Sequence, residues 1–262
     1  MTIDVKTLAY VNFYAAIGTL EKYVEYDESA KAIAAQQDIV VRFNVKGGPD
    51  GVVVFKDGKV KVLPYDGERK VDINLYCSSC DQFNKVVAGT AMPIPTKGLF
   101  KTLAFMGKPE SPFNVLTGKM AEIMRKKEFA SQEEKDLSTK LAFYAMVAGI
   151  AEVGNHDPIA RYAMKRILDG EISLGIKDEC YATLVKSGGN DDKEARLTCI
   201  RRKADNGRAF MTFGDLETAK GLIDGVLDSM ACISSGKLDT RGHMLMLDNL
   251  NKILNIVPKY LA

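Results

Sequence analysis

Two cysteines stand at the spacing of a metal or redox motif. Cys77-Ser78-Ser79-Cys80 is a C-x-x-C sequence. A zinc site would need two further cysteine or histidine ligands, and the other three cysteines lie in the second half of the chain without a paired spacing. A redox pair would use a lowered pKa of Cys80, which the start of a helix can provide. Because Cys77 ends a predicted strand instead of opening that helix, the spacing favours a structural role over a redox function.

The two histidines, His156 and His243, lie far apart in the sequence, and no nucleophile-elbow sequence accompanies them. Asp157-Pro158 after His156 predicts a loop that opens a helix, with proline at its first position. The glycine-rich stretch Lys46–Gly51 lacks the Gly-Lys-Ser/Thr ending of a phosphate-binding loop. We therefore expect no catalytic residue, no metal site and no cofactor, and we interpret the chain as a non-enzyme.

Composition narrows the class of protein. The chain has 262 residues, of which 46% are apolar and 27% charged, as expected of two ordinary globular domains. Its net charge is +2, and neither half has a strong basic excess, so we expect no nucleic-acid partner. The longest uncharged apolar stretch, Leu141–Ala151, is too short for stable membrane insertion. An odd cysteine number and the absence of a secretory signal at the N-terminus predict a cytoplasmic location.

The chain contains an internal repeat. Phe13-Tyr14-Ala15 recurs as Phe143-Tyr144-Ala145, at an offset of 130 residues. Three further matches at the same offset are Asp27 with Asp157, Ala30 with Ala160, and Lys31 with Arg161. A register that holds over this distance predicts the same local structure twice.

Strands follow the repeated helix in each half. Asp57-Gly58 and Asp66-Gly67 are hairpin signals between β-rich runs, because both central turn positions favour positive φ. Together with the turn at Gly47–Gly51 they predict three successive hairpins, and so an antiparallel meander. The predicted strands are Ile39–Lys46, Val52–Phe55, Val60–Pro64 and Lys70–Tyr76, then Glu171–Lys177, Cys180–Lys186, Ala195–Arg201 and Arg208–Phe213.

Each fourth strand runs into a helix. Ser79, with Gln82 three residues later, predicts a capping box, and Asp215 caps the matching helix at an offset of 136. A last helix carries one apolar stripe, at Leu250, Ile253, Leu254, Val257 and Leu261. Pro258 is expected to end or kink that helix.

These motifs resemble the sterol carrier protein type 2 family of lipid-binding domains. In the first half the resemblance lies in FNVKGGPDG, FKDGKV and VDINLYCSSCDQFNKVVAGTAMPIPTKG, in that order. In the second half it lies in GVLDSMA and SGKLDTRG, residues 225–231 and 235–242. The resemblance implies an α+β fold of two tandem domains, 1–127 and 128–262. Each would be a twisted, mainly antiparallel five-stranded sheet packed by helices, with an apolar tunnel between sheet and helices.

One departure concerns the first half. It lacks a clear Gly-Lys-Leu-x-x-x-Gly final strand and has Leu99–Met106, a proline-rich loop and Phe113–Met124 instead. We therefore expect the final strand of that domain to be atypical and its cavity to be reshaped or shut.

The resemblance predicts non-catalytic binding or transfer of an apolar or amphipathic small molecule, such as a fatty acid, an acyl-CoA or another lipid. The alternative is an accessory or assembly subunit of a partner enzyme that acts on a hydrophobic substrate. The identity of the ligand and the oligomeric state stay open. Methionine and phenylalanine suit an adaptable apolar site. The candidate ligand-binding residues are Phe83, Val87, Leu99, Phe100, Leu103, Phe105, Met106 and Phe113, and then Leu222, Ile223, Met230, Ile233, Met244, Met246, Leu250 and Ile253.

Overall fold

The offset of 130 residues corresponds to the same helix start in both halves. The structure, a computed structural model, describes residues 3–261. Asp27 Oδ1 accepts a hydrogen bond from the backbone N–H of Ala30 at 2.7 Å, and Asp157 Oδ1 accepts one from Ala160 at 2.9 Å. An aspartate at this position satisfies an N–H group that the first turn of a helix leaves unpaired. The sequence repeat is therefore a repeat of structure.

The first of the two units into which the chain divides is Met1–Glu128. Its helical opening runs through a π-helical segment, Val11–Ala16, and a 3₁₀ turn, Ile17–Thr19. Its helices are α1 (Val5–Tyr10), α2 (Leu20–Tyr26), α3 (Glu28–Ala35), α4 (Cys80–Val87), α5 (Leu99–Met106) and α6 (Pro112–Arg125). Its strands are β1 (Ile39–Val45), β2 (Asp50–Lys56), β3 (Lys59–Pro64), β4 (Ile73–Cys77) and β5 (Ile94–Lys97).

The second unit is Phe129–Ala262. Its helices are α7 (Gln132–His156), α8 (Ala160–Lys165), α9 (Leu216–Ile223), α10 (Ser229–Ser234), α11 (Met244–Leu254) and α12 (Pro258–Leu261). Its strands are β6 (Gly170–Ile176), β7 (Cys180–Ser187), β8 (Arg196–Ile200), β9 (Gly207–Phe213) and β10 (Leu238–Gly242). Helix α11 ends at Leu254, and Pro258 begins α12, so the expected interruption before the end of the chain is present. No helix among residues 3–261 is both long and apolar enough to cross a bilayer.

The two sheets have the same topology. Their strand orders are β3-β2-β1-β4-β5 and β8-β7-β6-β9-β10. Each order includes one parallel pair, β1 with β4 and β6 with β9, among antiparallel neighbours. The expected α+β class and the mainly antiparallel five-stranded sheets are confirmed.

The expected meander is wrong at its third hairpin. Asp66-Gly67 lies after β3, but the strand that follows it, β4, does not pair back onto β3. It crosses the sheet and pairs with β1 in parallel, with Val41 opposite Ile73 and Val45 opposite Cys77. A local turn signal fixes only the bend of the chain, and this pairing depends on long-range packing.

The first unit contains a final strand, although its sequence lacks a clear Gly-Lys-Leu-x-x-x-Gly motif. Strand β5 pairs antiparallel with β4, with Tyr76 opposite Ile94. Its sequence, Ile-Pro-Thr-Lys followed by Gly98, matches Leu-Asp-Thr-Arg-Gly in β10 at an offset of 144. The strand is short and carries Pro95, which is tolerated at the edge of a sheet. The offset rises from 136 to 144 at the point where the second unit adds helix α10.

Candidate functional site

The C-x-x-C motif does not form an activated thiol. Cys77 is buried at the end of β4, and burial raises its pKa to about 11. Cys80 begins α4, where burial also raises its pKa, although Lys6 acts in the opposite direction. Its sulfur lies so close to Gly48 that a Cβ on that glycine would approach it to 2.6 Å. The lowered pKa that a redox role would use is therefore absent, because burial outweighs the effect of the helix start.

The carboxylate of Glu152 faces the imidazole of His156 one turn later on α7. Their Oε2 and Nε2 atoms are 3.5 Å apart. Burial raises the pKa of Glu152, while His156 and Arg196 lower it. Next to this pair, Asn155 exchanges two hydrogen bonds of 2.8 Å with the backbone of Leu197. The pair thus lies where α7 contacts β8.

His156 ends α7, and residues 157–159 form the expected loop into α8. Because α8 begins at Ala160, Pro158 lies before that helix and not at its first position, where the sequence had predicted it.

No group of three or more histidine, cysteine, aspartate or glutamate side chains suited to a metal ion occurs in the described part of the chain. The other histidine, His243, is the residue before α11, and its backbone N–H donates to the carbonyl of Arg208 at 2.9 Å.

An interior ring cluster fills the space between the sheet and the helices of the first unit. The centroids of neighbouring rings in this cluster are 5.3–6.2 Å apart. Its members are Phe13, Phe43, Phe55, Phe83, Phe105 and Phe113. Three of them, Phe83, Phe105 and Phe113, are candidate ligand residues, and all are buried. Phe13 reaches the sheet because β2 has Gly51 beneath its ring, where a Cβ would collide. The candidate residues at this depth are therefore brought together as a packed aromatic core.

The interior of the second unit is mainly aliphatic. Among its candidate residues, Met246, Leu250 and Ile253 are buried on one face of α11. That helix packs on α7, α8 and β9. Ile253 approaches α7 at Gly154, where a Cβ would lie 3.3 Å from its Cδ1 atom. Leu222 and Ile223, at the end of α9, are half-buried. Methionine and branched aliphatic side chains can repack around a ligand more readily than a cluster of rings.

The same backbone feature leads out of the sheet in both units. Gly98 follows β5 and Gly242 ends β10, with φ values of 76° and 88°, in the left-handed region that favours glycine. A Cβ would collide with the carbonyl oxygen of Asp72 in the first unit and of Arg208 in the second. Each glycine therefore lets the chain pass close to the start of the fourth strand and turn into the next helix, α5 or α11.

The first turns of these two helices expose apolar side chains. In the first unit we define the first apolar surface as Met92, Ile94, Leu99, Phe100 and Leu103, all exposed. Phe100 is 84% exposed, whereas Phe105 and Met106 on the same helix are buried. Val87, at the end of α4, is also exposed. Candidate residues of the first unit thus divide into a buried set and an exposed set that meet on the short helix α5.

The second unit has a corresponding group, which we define as the second apolar surface: Val226, Leu227, Met230, Ile233, Met244 and Leu245. Met244 and Leu245 open α11, as Leu99 and Phe100 open α5. Leu227 folds back onto α9, where a Cβ on Gly221 would collide with its side chain. Met230, Ile233 and Met244 were candidates from the sequence.

Sequence reasoning missed several members of both surfaces, namely Met92, Ile94, Val226, Leu227 and Leu245. Aligning the two halves at the offset of 144 would have found part of this set, because it places Ile94 on Leu238 and Gly98 on Gly242. That alignment identifies the helix after each glycine as equivalent. The exposed side chains before β5 and on the α9–α10 loop carry no such signal.

Comparison with known proteins gives matches among solved structures only. No protein-family model and no curated protein matches the chain. A structure described as "UbiJ-SCP2 Ubiquinone synthesis protein" is 17% identical, with 42% of this chain and 94% of the other covered at a TM-score of 0.31. The solution structure of sterol carrier protein domain 2 of Helicoverpa armigera is 15% identical, with 44% of this chain and 87% of the other covered at a TM-score of 0.31.

A third structure, described as sterol carrier protein 2, is 15% identical, with 44% of this chain and 92% of the other covered at a TM-score of 0.32. The descriptions of all three name the family that the sequence motifs resemble.

Proposed function

We propose that the chain binds or transfers an apolar or amphipathic small molecule, such as a fatty acid or acyl-CoA, without making or breaking a covalent bond. The observation that carries this proposal is the continuity of apolar side chains from surface to interior on the helix after each fifth strand. On α5 it runs from Phe100 to Phe105, and on α11 from Met244 to Met246. A ligand with a polar head and an apolar tail suits this arrangement, because its tail can contact the buried apolar side chains while its head stays at the exposed end of the helix.

We assign the main ligand site to the second unit. Helices α10 and α11 carry three methionines that lead from the surface inward. Met230 on α10 and Met244 on α11 are exposed, and Met246 on α11 is buried. Their flexible side chains can accommodate a ligand, whereas the interior ring cluster of the first unit already packs against itself. The candidate residues of the first unit would then contact ligand chiefly through the exposed members of α5.

The energetics suit a carrier that releases its ligand. An acyl chain of about 14 buried methylenes gains at most ~11 kcal/mol, at ~0.8 kcal/mol for each. Lost translational and conformational freedom offsets several kcal/mol of this gain. The remainder corresponds to about micromolar affinity, which allows exchange on a biological timescale.

A fluorescent fatty acid tests the site. Titration of the full chain, stripped of bound lipid, is expected to give saturable binding that oleate displaces. Met230→Glu places a charge in the second apolar surface and is expected to weaken binding about ten-fold, because a carboxylate must be desolvated there. Tyr162→Glu is the matched control, since Tyr162 is 67% and Met230 68% exposed in the same unit. Equal effects of the two substitutions would contradict the assignment.

A second candidate function is that of an accessory subunit for an enzyme acting on a hydrophobic substrate. Val226 favours it, because this side chain is 78% exposed next to Leu227, and a small ligand would leave much of it uncovered. Exposed apolar patches of this kind are typical of protein interfaces. Purification of the tagged chain would recover a stoichiometric enzyme on this hypothesis, and the chain alone would argue against it.

A further inference from the structure

Helix α5 carries large apolar side chains on both of its faces. One face buries Thr102, Phe105 and Met106, and the other exposes Leu99, Phe100 and Leu103. The helix packs on α6, β4 and β5, so it is held in place by its buried face. An amphipathic helix of a soluble domain would carry polar residues on the outer face. The outer face of α5 is therefore built to contact something apolar.

The segment that carries this helix is strongly basic. Residues 92–127 contain seven lysines or arginines and two acidic residues, a net charge of +5. The rest of the chain has 29 basic and 32 acidic residues, a net charge of −3. The corresponding segment of the second unit, 226–262, has four basic and three acidic residues, a net charge of +1. The basic excess thus belongs to the segment that contains the first apolar surface.

Lysines flank the exposed face of α5 directly. Lys97 precedes the helix, Lys101 lies within it and Lys108 follows it, and all three are exposed. Lys101 pairs with Asp72 at 2.6 Å, and the Nζ atom of Lys97 donates to the carbonyl of Val71 at 2.7 Å. One carboxylate therefore faces two of these ammonium groups, which leaves the surroundings of the apolar face positive.

We propose that the first apolar surface docks on the surface of an anionic lipid bilayer, with Leu99, Phe100 and Leu103 in the interfacial region and the lysines against the headgroups. Apolar side chains with a basic rim have the chemistry of an interfacial anchor. The contact is peripheral, because α5 has only eight residues and its other face is buried in the domain. Docking goes beyond ligand binding and does not depend on which unit holds the ligand.

Charge complementarity distinguishes this occupant from a second copy of the chain. A second copy would bring the same basic segment to the interface, and like charges would repel across it. Anionic headgroups instead neutralise lysines at about a five-fold gain in binding for each. The second apolar surface, which is similarly exposed but lies in a nearly neutral segment, serves as an internal reference.

Co-sedimentation with vesicles tests the proposal on the full chain. We expect binding to vesicles of mixed phosphatidylcholine and phosphatidylglycerol, weak binding to phosphatidylcholine alone, and a loss of binding as salt is raised. Phe100→Ser is expected to weaken binding about ten-fold, through the loss of one buried aromatic side chain. Lys108→Gln is expected to weaken it about five-fold.

Met244→Ser is the matched control, because Met244 opens α11 as Phe100 opens the exposed turn of α5. It is expected to leave vesicle binding unchanged, and thermal melts of all variants check that they fold. Equal binding to both vesicle types would overturn the proposal, and so would equal effects of Phe100→Ser and Met244→Ser. A third contrary result is a wild-type dimer that does not bind vesicles and that Phe100→Ser dissociates. Fatty-acid binding measured without vesicles reports separately on the proposed function.

Discussion

The hydroxyl group of Tyr260 donates a 2.6 Å hydrogen bond to Asp157 Oδ2. Both side chains are buried, and the other carboxylate oxygen of Asp157 accepts from the backbone of Ile159 and Ala160. One aspartate thus starts the loop that leads into α8 and also fixes the last helix of the chain. In the first unit, Asp27 has the capping role alone, since its carboxylate accepts from Ala30 and from the hydroxyl of Ser29.

We predict that Tyr260→Phe destabilises the second unit by about 1.5–3 kcal/mol, because it removes the hydroxyl donor from a buried carboxylate. Thermal melting measured by circular dichroism gives the change. Tyr162→Phe, at an exposed tyrosine of the same unit, should leave the melting temperature unaltered. If both variants melt like the wild type, the hydrogen bond does not fasten α12.

Gly98→Ala should destabilise the first unit more than Gly67→Ala. Both glycines have positive φ, of 76° and 85°, so an alanine at either costs about 1–2 kcal/mol of backbone strain. A Cβ at Gly98 also collides with the carbonyl of Asp72, whereas nothing lies within 4 Å of one at Gly67. Urea unfolding should separate the two variants by a further ~1–3 kcal/mol. Equal losses would show that β4 does not approach Gly98 this closely.

The buried thiol of Cys77 predicts a loss of stability at high pH. Its pKa is raised from 9.0 to about 11 in the folded chain. Between these values the unfolded state releases a proton that the folded state keeps, so stability is intact below pH 9 and falls as pH rises toward 11. At pH 10 the loss is about 1.4 kcal/mol, one pKa unit.

Urea unfolding of the wild type and of Cys77→Ala, each at pH 8 and pH 10, isolates this contribution. Burial also raises the pKa of Tyr23, to about 12, but this tyrosine is present in both proteins. The wild type should lose more stability than the variant over this range. An identical loss in both proteins would mean that Cys77 is not buried from water.

Trypsin should divide the chain first between its two units. Arg125 ends α6, and Lys126 and Lys127 lie between α6 and α7. Each sheet draws all its strands from one side of this segment. Backbone that lies outside helices and sheets is cleaved most readily. We expect two resistant fragments, near 1–127 and 128–262, that each retain a cooperative melt. Early cleavage inside either sheet would contradict independent folding.

The sequence predicted the repeated elements well, because they depend on local signals. Asp27 and Asp157 lie at corresponding helix starts in the two halves, as the repeat predicts, and the strands that follow lie close to their predicted positions. Ser79 and Asp215, at an offset of 136, also both cap helices.

Long-range features were less accessible. The parallel pairing of β1 with β4 depends on the packing of both on the helices, and the Asp66-Gly67 turn carries no information about it. The raised pKa of Cys80 could not be predicted, because its position at a helix start is visible in the sequence and its burial against Gly48 is not. The exposure of Phe100 could not be predicted either, since Phe105 on the same helix is buried and both are phenylalanines in an apolar run.

The central claim is that the chain carries an apolar molecule. Native mass spectrometry of the full chain, purified without detergent and then incubated with oleate, measures this most directly. We expect a species heavier by one or more oleate molecules, which organic extraction converts back to the bare chain. A folded chain that stays at its bare mass at every oleate concentration would contradict it.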